Sequence, residues 1–407
     1  MKPRPAAAAV DRFFLHSAPG GNLPMGCLLD VKGTAPTIEE LRARVSARLP
    51  DLPVLHRHPG PASEGPRRDP AVRVSAHVKE ATVPAGRAGP HILQTPLPTG
   101  GRPPWDLWLL HHTTPDSYQL CFRIHHGLHD GVGAAHTVAA LLGTGTGPAP
   151  GPLLHVPSRP SAAAFRNALT DLVAAHRAPR TWPGLCVPPT GQLELGHADA
   201  PVARLKALAR TWDVTVNVVY LAALTRAFQA LWARTSAAPA PPLPALMPMS
   251  TRRAGEERHP GNHLAAMRLA LPCDTPEPAV QLRRLRHETT QATREGRRDA
   301  ARLLFRVVPT PLAERLIMPM MLPPGAPVYV SNVSFAAEIG LPRDRVTAAA
   351  MFTALPRGLL CFVCLTGYAA IRRITVVHDR AFAEGQELPR LWLEGLSALE
   401  REAGPTG

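Results

Sequence analysis

The chain has 407 residues, 45% of them hydrophobic and 19% charged, which gives room for two globular domains and excludes a largely disordered protein. Its formal net charge is +14, yet only four of the 45 basic residues are lysines (Lys2, Lys32, Lys79, Lys206), and the arginines are scattered. Aromatic residues make up 5%, without the basic-aromatic interleaving that base stacking needs, so no nucleic-acid partner is expected and the charge suits an acidic partner instead.

In chain order, the start carries only a short alanine run before Asp11-Arg12, too short for a signal peptide. Thr37-Ile38-Glu39-Glu40 is a capping box. With Leu41, Val45 and Leu49 at helical spacing, it predicts a helix ending before Pro50. Val72, Val74 and Ala76 alternate as a strand leading into His77-Val78. Residues 107–112 and 118–125 read as an antiparallel pair around the turn Pro115-Asp116-Ser117. From 131 to 142, Val132, Ala135, Val138, Ala139 and Leu142 share a helical face, with Gly143 as the stop.

Residues 143–160 turn to Gly, Pro and Thr and read as a linker. Beyond it, 201–212 is helical, Thr215 is the N-cap of an apolar helix over 216–232, and Pro239-Ala240-Pro241-Pro242 breaks the pattern before a strand at 246–249. Thr275 and Pro276 read as the cap and first turn of an arginine-rich helix reaching about residue 298. Strands follow at 328–334, 359–366 and 371–378, then a helix at 388–401. Helices and strands alternate in both halves, which predicts an α/β class with domains at 1–145 and 161–407 around a Gly/Pro linker at 146–160.

The six cysteines (Cys27, Cys121, Cys186, Cys273, Cys361, Cys364) have no framework spacing. Cys361 and Cys364 have redox spacing, but on a strand residues three apart face opposite ways, so buried separate thiols are expected. No apolar run approaches the 18 residues of a membrane span, and the chain reads as cytoplasmic.

One stretch stands out for chemistry: His125-His126-Gly127-Leu128-His129-Asp130-Gly131, where a strand gives way to a helix. Such a junction exposes side chains at a sheet edge while the scaffold holds them still. Adjacent residues at a strand end face opposite ways, so one histidine of the pair can reach a cavity while the other packs. A neutral imidazole beside an alcohol or amine can take its proton during attack on a thioester. Asp130 can fix the turn through backbone N–H groups or pair with a distant arginine. Gly131 permits close backbone approach or positive φ at the helix start. His125, His129 and Asp130 are also metal-ligand types, but no HExxH pattern or second cluster completes a set, so no metal is expected. His129 and His136 read as ordinary packed histidines.

These seven residues resemble the active-site motif of an acyltransferase superfamily. It includes the condensation domains of nonribosomal peptide synthesis, the bacterial wax ester synthase/diacylglycerol acyltransferases and chloramphenicol acetyltransferase. The wax ester synthase-like branch is similar over nearly the whole chain. Asp11-Arg12-Phe13-Phe14 and the helix of 41–57 resemble its opening, His77-Val78 its His-Val pair, and Pro104-Trp105 its Pro-Leu-Trp element. Later, Thr215-Val216-Asn217-Val218-Val219 resembles its Asn-Asp segment. Met247-Pro248-Met249-Ser250-Thr251-Arg252, Gly261-Asn262 and Leu271-Pro272 follow its order, and Ser331-Asn332-Val333 resembles its Ser-Asn-Val-Pro-Gly-Pro segment.

The resemblance implies two chloramphenicol-acetyltransferase-like α/β sandwich domains, facing each other as a pseudo-dimer with a tunnel between them and His126 at its middle. His126 would be the general base, Asp130 an orienting residue held by Arg252, and Gly131 a neighbour of the oxyanion. His125, Asn217, Arg252, Ser331 and Asn332 would border the substrates, with Asn332 or Asn217 within water-bridged reach of His126. The implied reaction moves an acyl group from a thioester to a hydroxyl or amine, without metal or redox cofactor. The donor's phosphopantetheine arm would come from coenzyme A or an acidic carrier protein. Asn217 is followed by Val218 rather than Asp, Val333 by Ser334-Phe335 rather than Pro-Gly-Pro, and Pro104 replaces Leu. These departures point to a specialised-metabolite acyltransferase or free-standing condensation enzyme rather than a wax ester or triacylglycerol synthase. The reading from another class is a non-catalytic relative that only binds a carrier protein.

Overall fold

Two sheets take up the apolar runs of both halves in the computed structural model. It describes residues 5–17, 19–58, 67–69, 71–84, 86–112, 116–143, 160–177, 181–253, 255–256, 259–294, 296, 299–300, 303, 312, 315, 321–335, 339, 341 and 344–403. In chain order the longer strands are β1 (Pro24–Lys32), β2 (Val78–Thr82), β3 (Trp105–His111), β4 (Ser117–His125), β5 (Leu193–Pro201), β6 (Leu243–Ser250), β7 (Leu264–Leu271), β8 (Val328–Ser334), β9 (Arg345–Thr353), β10 (Cys361–Tyr368) and β11 (Ile371–Asp379). The first sheet has the order β9-β1-β4-β3-β2 and the second β5-β11-β10-β8-β6-β7. The class is α/β, as the alternation predicts.

β10 shows why the second sheet reads as a continuous apolar run. Cys361, Val363 and Leu365 face the helices Val202–Thr211, Val216–Thr235 and Leu388–Glu402, while Phe362, Cys364 and Tyr368 join the core of the first sheet. A strand covered on both faces has no polar side to alternate. The same alternation sends Cys361 and Cys364 to opposite cores, where both remain free thiols. Arg373 on β11 ties the sheets together: it binds Asp199 on β5 at 2.6 Å and pairs with Asp30 on β1 at 2.6 Å.

The first sheet is not made by the first 145 residues alone. β9, from the second half of the sequence, pairs antiparallel along β1 from Met25↔Thr353 to Lys32↔Arg345. The 146–160 linker lies almost wholly outside the described residues, as do Pro115 of the expected hairpin turn and the far end of the arginine-rich helix.

The capping box is present: Glu40 N donates to Thr37 Oγ1 at 3.2 Å and Thr37 N to Glu40 Oε2 at 2.9 Å, opening the helix Ile38–Arg48. Thr215 caps the helix Val216–Thr235 as expected, accepting from Val218 N. Two local readings need correction. The strand expected at 72–76 is a single helical turn, Val74–His77, and the strand begins only at Val78. His77 Nδ1 lies 2.7 Å from the Trp105 carbonyl and its ring stacks on Trp105, so tertiary contacts fix that turn. The arginine-rich helix runs Pro278–Arg294, and Thr275 does not cap it. The Glu277 carbonyl accepts the first helical N–H groups, and the Thr275 hydroxyl bonds the Glu277 carboxylate.

Among the described residues no single helix is long and apolar enough to cross a membrane.

Candidate active site

Three local features build the central motif. β4 ends at His125, the short 3-10 turn His126–Leu128 redirects the chain, and Asp130 caps the helix Gly131–Leu142. Asp130 Oδ1 accepts from Gly133 N at 2.8 Å, which satisfies one of the helix's orphan donors.

The two adjacent histidines diverge. His125 is buried, and its main-chain N–H donates to the Pro104 carbonyl at 2.9 Å. Its Nδ1 accepts from Gly127 N at 3.0 Å. Burial, with His126 adjacent, pushes its pKa down to about 4, so the ring is neutral. Nδ1 thus serves the main chain, which suits a packing role for His125.

His126 is half-buried and lies flat on Phe14, with ring centroids 3.7 Å apart and planes at 12°. Its Nδ1 is sealed from solvent with no hydrogen bond, whereas Nε2 is neither sealed nor bonded and is the open edge of the ring. Desolvation lowers its pKa, which keeps the ring neutral and basic at neutral pH.

Below this ring lies a buried charge pair. Arg252 Nη2 donates to Asp130 Oδ2 at 2.8 Å, and Nε reaches both carboxylate oxygens at 3.1 and 3.2 Å. The remaining guanidinium hydrogens go to the carbonyls of Glu256 (2.8 Å), His259 (2.8 Å) and Gly261 (3.0 Å). Burial alone would raise the Asp130 pKa, but the charge and hydrogen bonds of Arg252 outweigh it and hold the carboxyl below the usual range. His129 Nε2 lies 3.0 Å from the Thr137 hydroxyl, and burial pushes its pKa down to about 3. Its packed, neutral state matches the reading of an ordinary core histidine.

A segment 133–136 residues later clasps the turn at alternate positions. Gly261 N donates to the Leu128 carbonyl at 2.8 Å, Asn262 Nδ2 to the His126 carbonyl at 2.7 Å, and His263 N to Asp130 Oδ2 at 2.7 Å. Asp11, on the helix Pro5–His16, completes the clasp by accepting from Asn262 N at 2.8 Å and Nδ2 at 2.7 Å. Burial pushes the Asp11 pKa up to about 7, against the Asn262 hydrogen bonds. Asp11, Phe14 and Asn262 were not singled out from the sequence. The only signal was that their segments follow the order of a known family.

Other expected site residues are placed differently. Gly131 has no positive φ, and a Cβ there would meet Val333 at 3.5 Å, an ordinary contact. Gly133 is the constrained glycine, since its Cβ would fall 2.2 Å from His129 Cε1 and 2.6 Å from Arg252 Nη2. Val333 and Tyr329 point into the first core and Val328 and Val330 into the second, so by alternation Ser331 shares the Gly131-facing side of β8. Asn332 takes the opposite side, where its Nδ2 donates to Asn217 Oδ1 at 3.1 Å. The structure therefore brings Asn217 and Asn332 together, but away from the face that meets the helix start. Among the described residues, no group of His, Cys, Asp and Glu is arranged to hold a metal.

Residues 9–186 match the wax ester synthase/diacylglycerol acyltransferase catalytic domain family. A probable diacylglycerol O-acyltransferase, tgs1, of Mycobacterium tuberculosis is 26% identical over 246 residues, 54% of this chain and 52% of that protein. The chain thus spans about half the length of the curated relatives it matches. Among solved structures, the wax ester synthase/diacylglycerol acyltransferase of Marinobacter aquaeolei VT8 superposes with a TM-score of 0.66 at 18% identity, covering 97% of this chain and 98% of that one. The trichothecene 15-O-acetyltransferase of Fusarium sporotrichioides gives 0.67 at 11% identity, covering 97% and 94%. The chain therefore has the chloramphenicol-acetyltransferase-like α/β fold of these solved structures, with a match to the wax ester synthase/diacylglycerol acyltransferase catalytic domain over residues 9–186.

Proposed function

We propose that the chain is an acyltransferase that moves an acyl group from a thioester to a hydroxyl or amine, with His126 Nε2 as general base. One observation carries the reading: the His126 ring keeps an unbonded Nε2 at its open edge on a turn clamped by Asp130 and Arg252, whereas His125 is buried with Nδ1 bonded to Gly127 N. The acceptor's O–H or N–H loses its proton to Nε2 as its heteroatom attacks the thioester carbon. The resulting imidazolium then returns the proton to the departing thiolate. Main-chain donors near Gly131 and groups on β8 would hold the oxyanion between these steps.

The donor is read as a phosphopantetheine thioester of coenzyme A or an acidic carrier protein, which the +14 charge favours. β6 and β8 are parallel partners only at Val328↔Ala245 and Tyr329↔Leu246, so beyond these pairs each has unpaired main-chain groups that suit an amide-bearing arm. The acceptor is read as a specialised metabolite, in keeping with the departures at Pro104, Val218 and Ser334-Phe335. A non-catalytic carrier-binding role is the alternative, and a wax ester or triacylglycerol synthase is the third.

The test is thiol release from a panel of acyl-CoA and acyl-carrier donors with alcohol and amine acceptors. Turnover that His126→Ala abolishes supports the proposal. Carrier-protein binding without turnover on any donor–acceptor pair establishes the binding role instead.

A further inference from the structure

We infer that Asn262 is a positioning residue for His126: its Oδ1 accepts a hydrogen bond from the imidazole Nδ1–H, and Asp11 locks the amide in the orientation that makes this possible. The inference rests on reading His126 as the base.

A primary amide has two donors on one atom and an acceptor on the other. Both Nδ2 hydrogens of Asn262 are committed, one to Asp11 Oδ1 at 2.7 Å and one to the His126 carbonyl at 2.7 Å. Both partners can only accept, since one is a carbonyl and the other, when ionised, a carboxylate. The amide therefore cannot flip without setting oxygen against oxygen twice. Oδ1 is left buried with no hydrogen bond, and so is Nδ1 of His126. An orphaned acceptor and an orphaned ring nitrogen in one buried site are each costly, and their mutual contact removes the cost. Against desolvation, the His126 carbonyl, the charge of Asp130, the Asn262 side chain and the His129 carbonyl, in that order, favour the protonated ring. Catalytic hydrogen bonds are often long in unliganded sites and tighten when substrate binds.

The consequence is tautomer control. With its proton held on Nδ1, the neutral ring presents its lone pair at Nε2, the open edge. When Nε2 takes the acceptor's proton, the imidazolium keeps an Nδ1–H bond in a site that excludes water. Asn262 thus does for this histidine what an orienting carboxylate does in a hydrolase triad, without placing a full charge beside the ring. Charge enters one step back, at Asp11, which faces Arg57 and Asp130.

The test is ¹⁵N-histidine NMR on the full chain, with the His126 resonances identified by their loss in His126→Ala. Wild type should show a protonated Nδ1 and an unprotonated Nε2. Asn262→Leu should give a tautomer mixture, whereas Asn262→Asp, which keeps an acceptor oxygen, should restore the Nδ1–H form. Asp11→Asn, the milder variant should Asn262→Leu fail to fold, should shift the mixture part of the way. In acyl transfer, Asn262→Leu should lower kcat by about 10- to 100-fold with donor KM unchanged, the usual effect of an outer-shell orienter. A wild-type proton on Nε2, or an unchanged Nδ1–H form in the folded Leu or Asp11→Asn variants, would overturn the inference. The spectra need no substrate, so failure to find acyl transfer and failure of the tautomer shift are separate results.

Discussion

Arg252 Nη2 lies 2.8 Å from Asp130 Oδ2, with the guanidinium fully buried and every other donor on a main-chain carbonyl or the same carboxylate. Removing one partner leaves an uncompensated buried charge. Asp130→Asn is expected to cost about 3–5 kcal/mol of stability. The double variant Asp130→Asn/Arg252→Met should cost clearly less than the sum of the two single changes, since it leaves neither charge alone. Urea unfolding of the four proteins measures the cycle, and additive losses would show that the pair is not coupled.

The two adjacent histidines should separate by readout. His126→Ala is expected to leave the melting temperature nearly unchanged and to reduce acyl transfer by about 10²- to 10⁴-fold. His125→Ala removes the acceptor of Gly127 N and should cost about 1–3 kcal/mol of stability. Thermal melts beside initial rates make the comparison, and a His125→Ala protein that is fully stable but inactive would reverse the roles.

Glycine tolerance should run against the motif's apparent emphasis. Gly131→Ala is expected to fold normally, because the added methyl meets only ordinary contacts. Gly133→Ala, pressed against His129 and Arg252, should unfold at markedly lower temperature, since neither neighbour can yield without breaking the buried pair. Circular dichroism melts of the two variants decide this.

Stability should fall with acid in a defined window. The folded pKa values of His125 (about 4) and His129 (about 3) lie below the ordinary histidine value of about 6.5, so the unfolded chain binds protons first. Their contribution is complete above about 6.5 and is lost as pH falls towards 4 and then 3, with a slope of about 1.4 kcal/mol per pH unit for each. Asp130, depressed below the carboxylate range, adds its own loss only at lower pH. Urea titrations between pH 7 and 4 measure the slope. Asp11, raised to about 7, acts with the opposite sign over the same window and offsets about one histidine's slope, so a net fall of about one histidine's slope is expected and a flat profile would overturn it.

How much of this was legible follows from where the signals lie. The capping box at Thr37–Glu40, the Thr215 cap and the His125–Gly131 motif are local, and the structure contains all three. β1 was missed because it is covered on both faces and shows no alternation. β9 was missed because Ala348-Ala349-Ala350 has little strand propensity and is held extended by pairing with β1. β7 carries an alternating pattern framed by the turn residues Pro260-Gly261-Asn262, so it was legible and was overlooked. At the site, Asp130 and Arg252 could be paired only through a family's order of segments. Asp11, Phe14 and Asn262 converge on His126 from more than a hundred positions away in each direction, and no local spacing encodes such a convergence.

The late position of β9 sets the order in which the protein can be made. As the chain leaves the ribosome, β1 to β4 can pair early, yet β1 keeps a bare apolar edge until residue 353 has emerged. Most of the second sheet must therefore be synthesised before the first is sealed, and the nascent chain spends that interval with a ladder open to other chains. A fragment ending near residue 186 would hold the whole histidine motif and still lack this strand, which argues for expressing the protein intact and for slow, chaperone-assisted translation when it is produced in a foreign host.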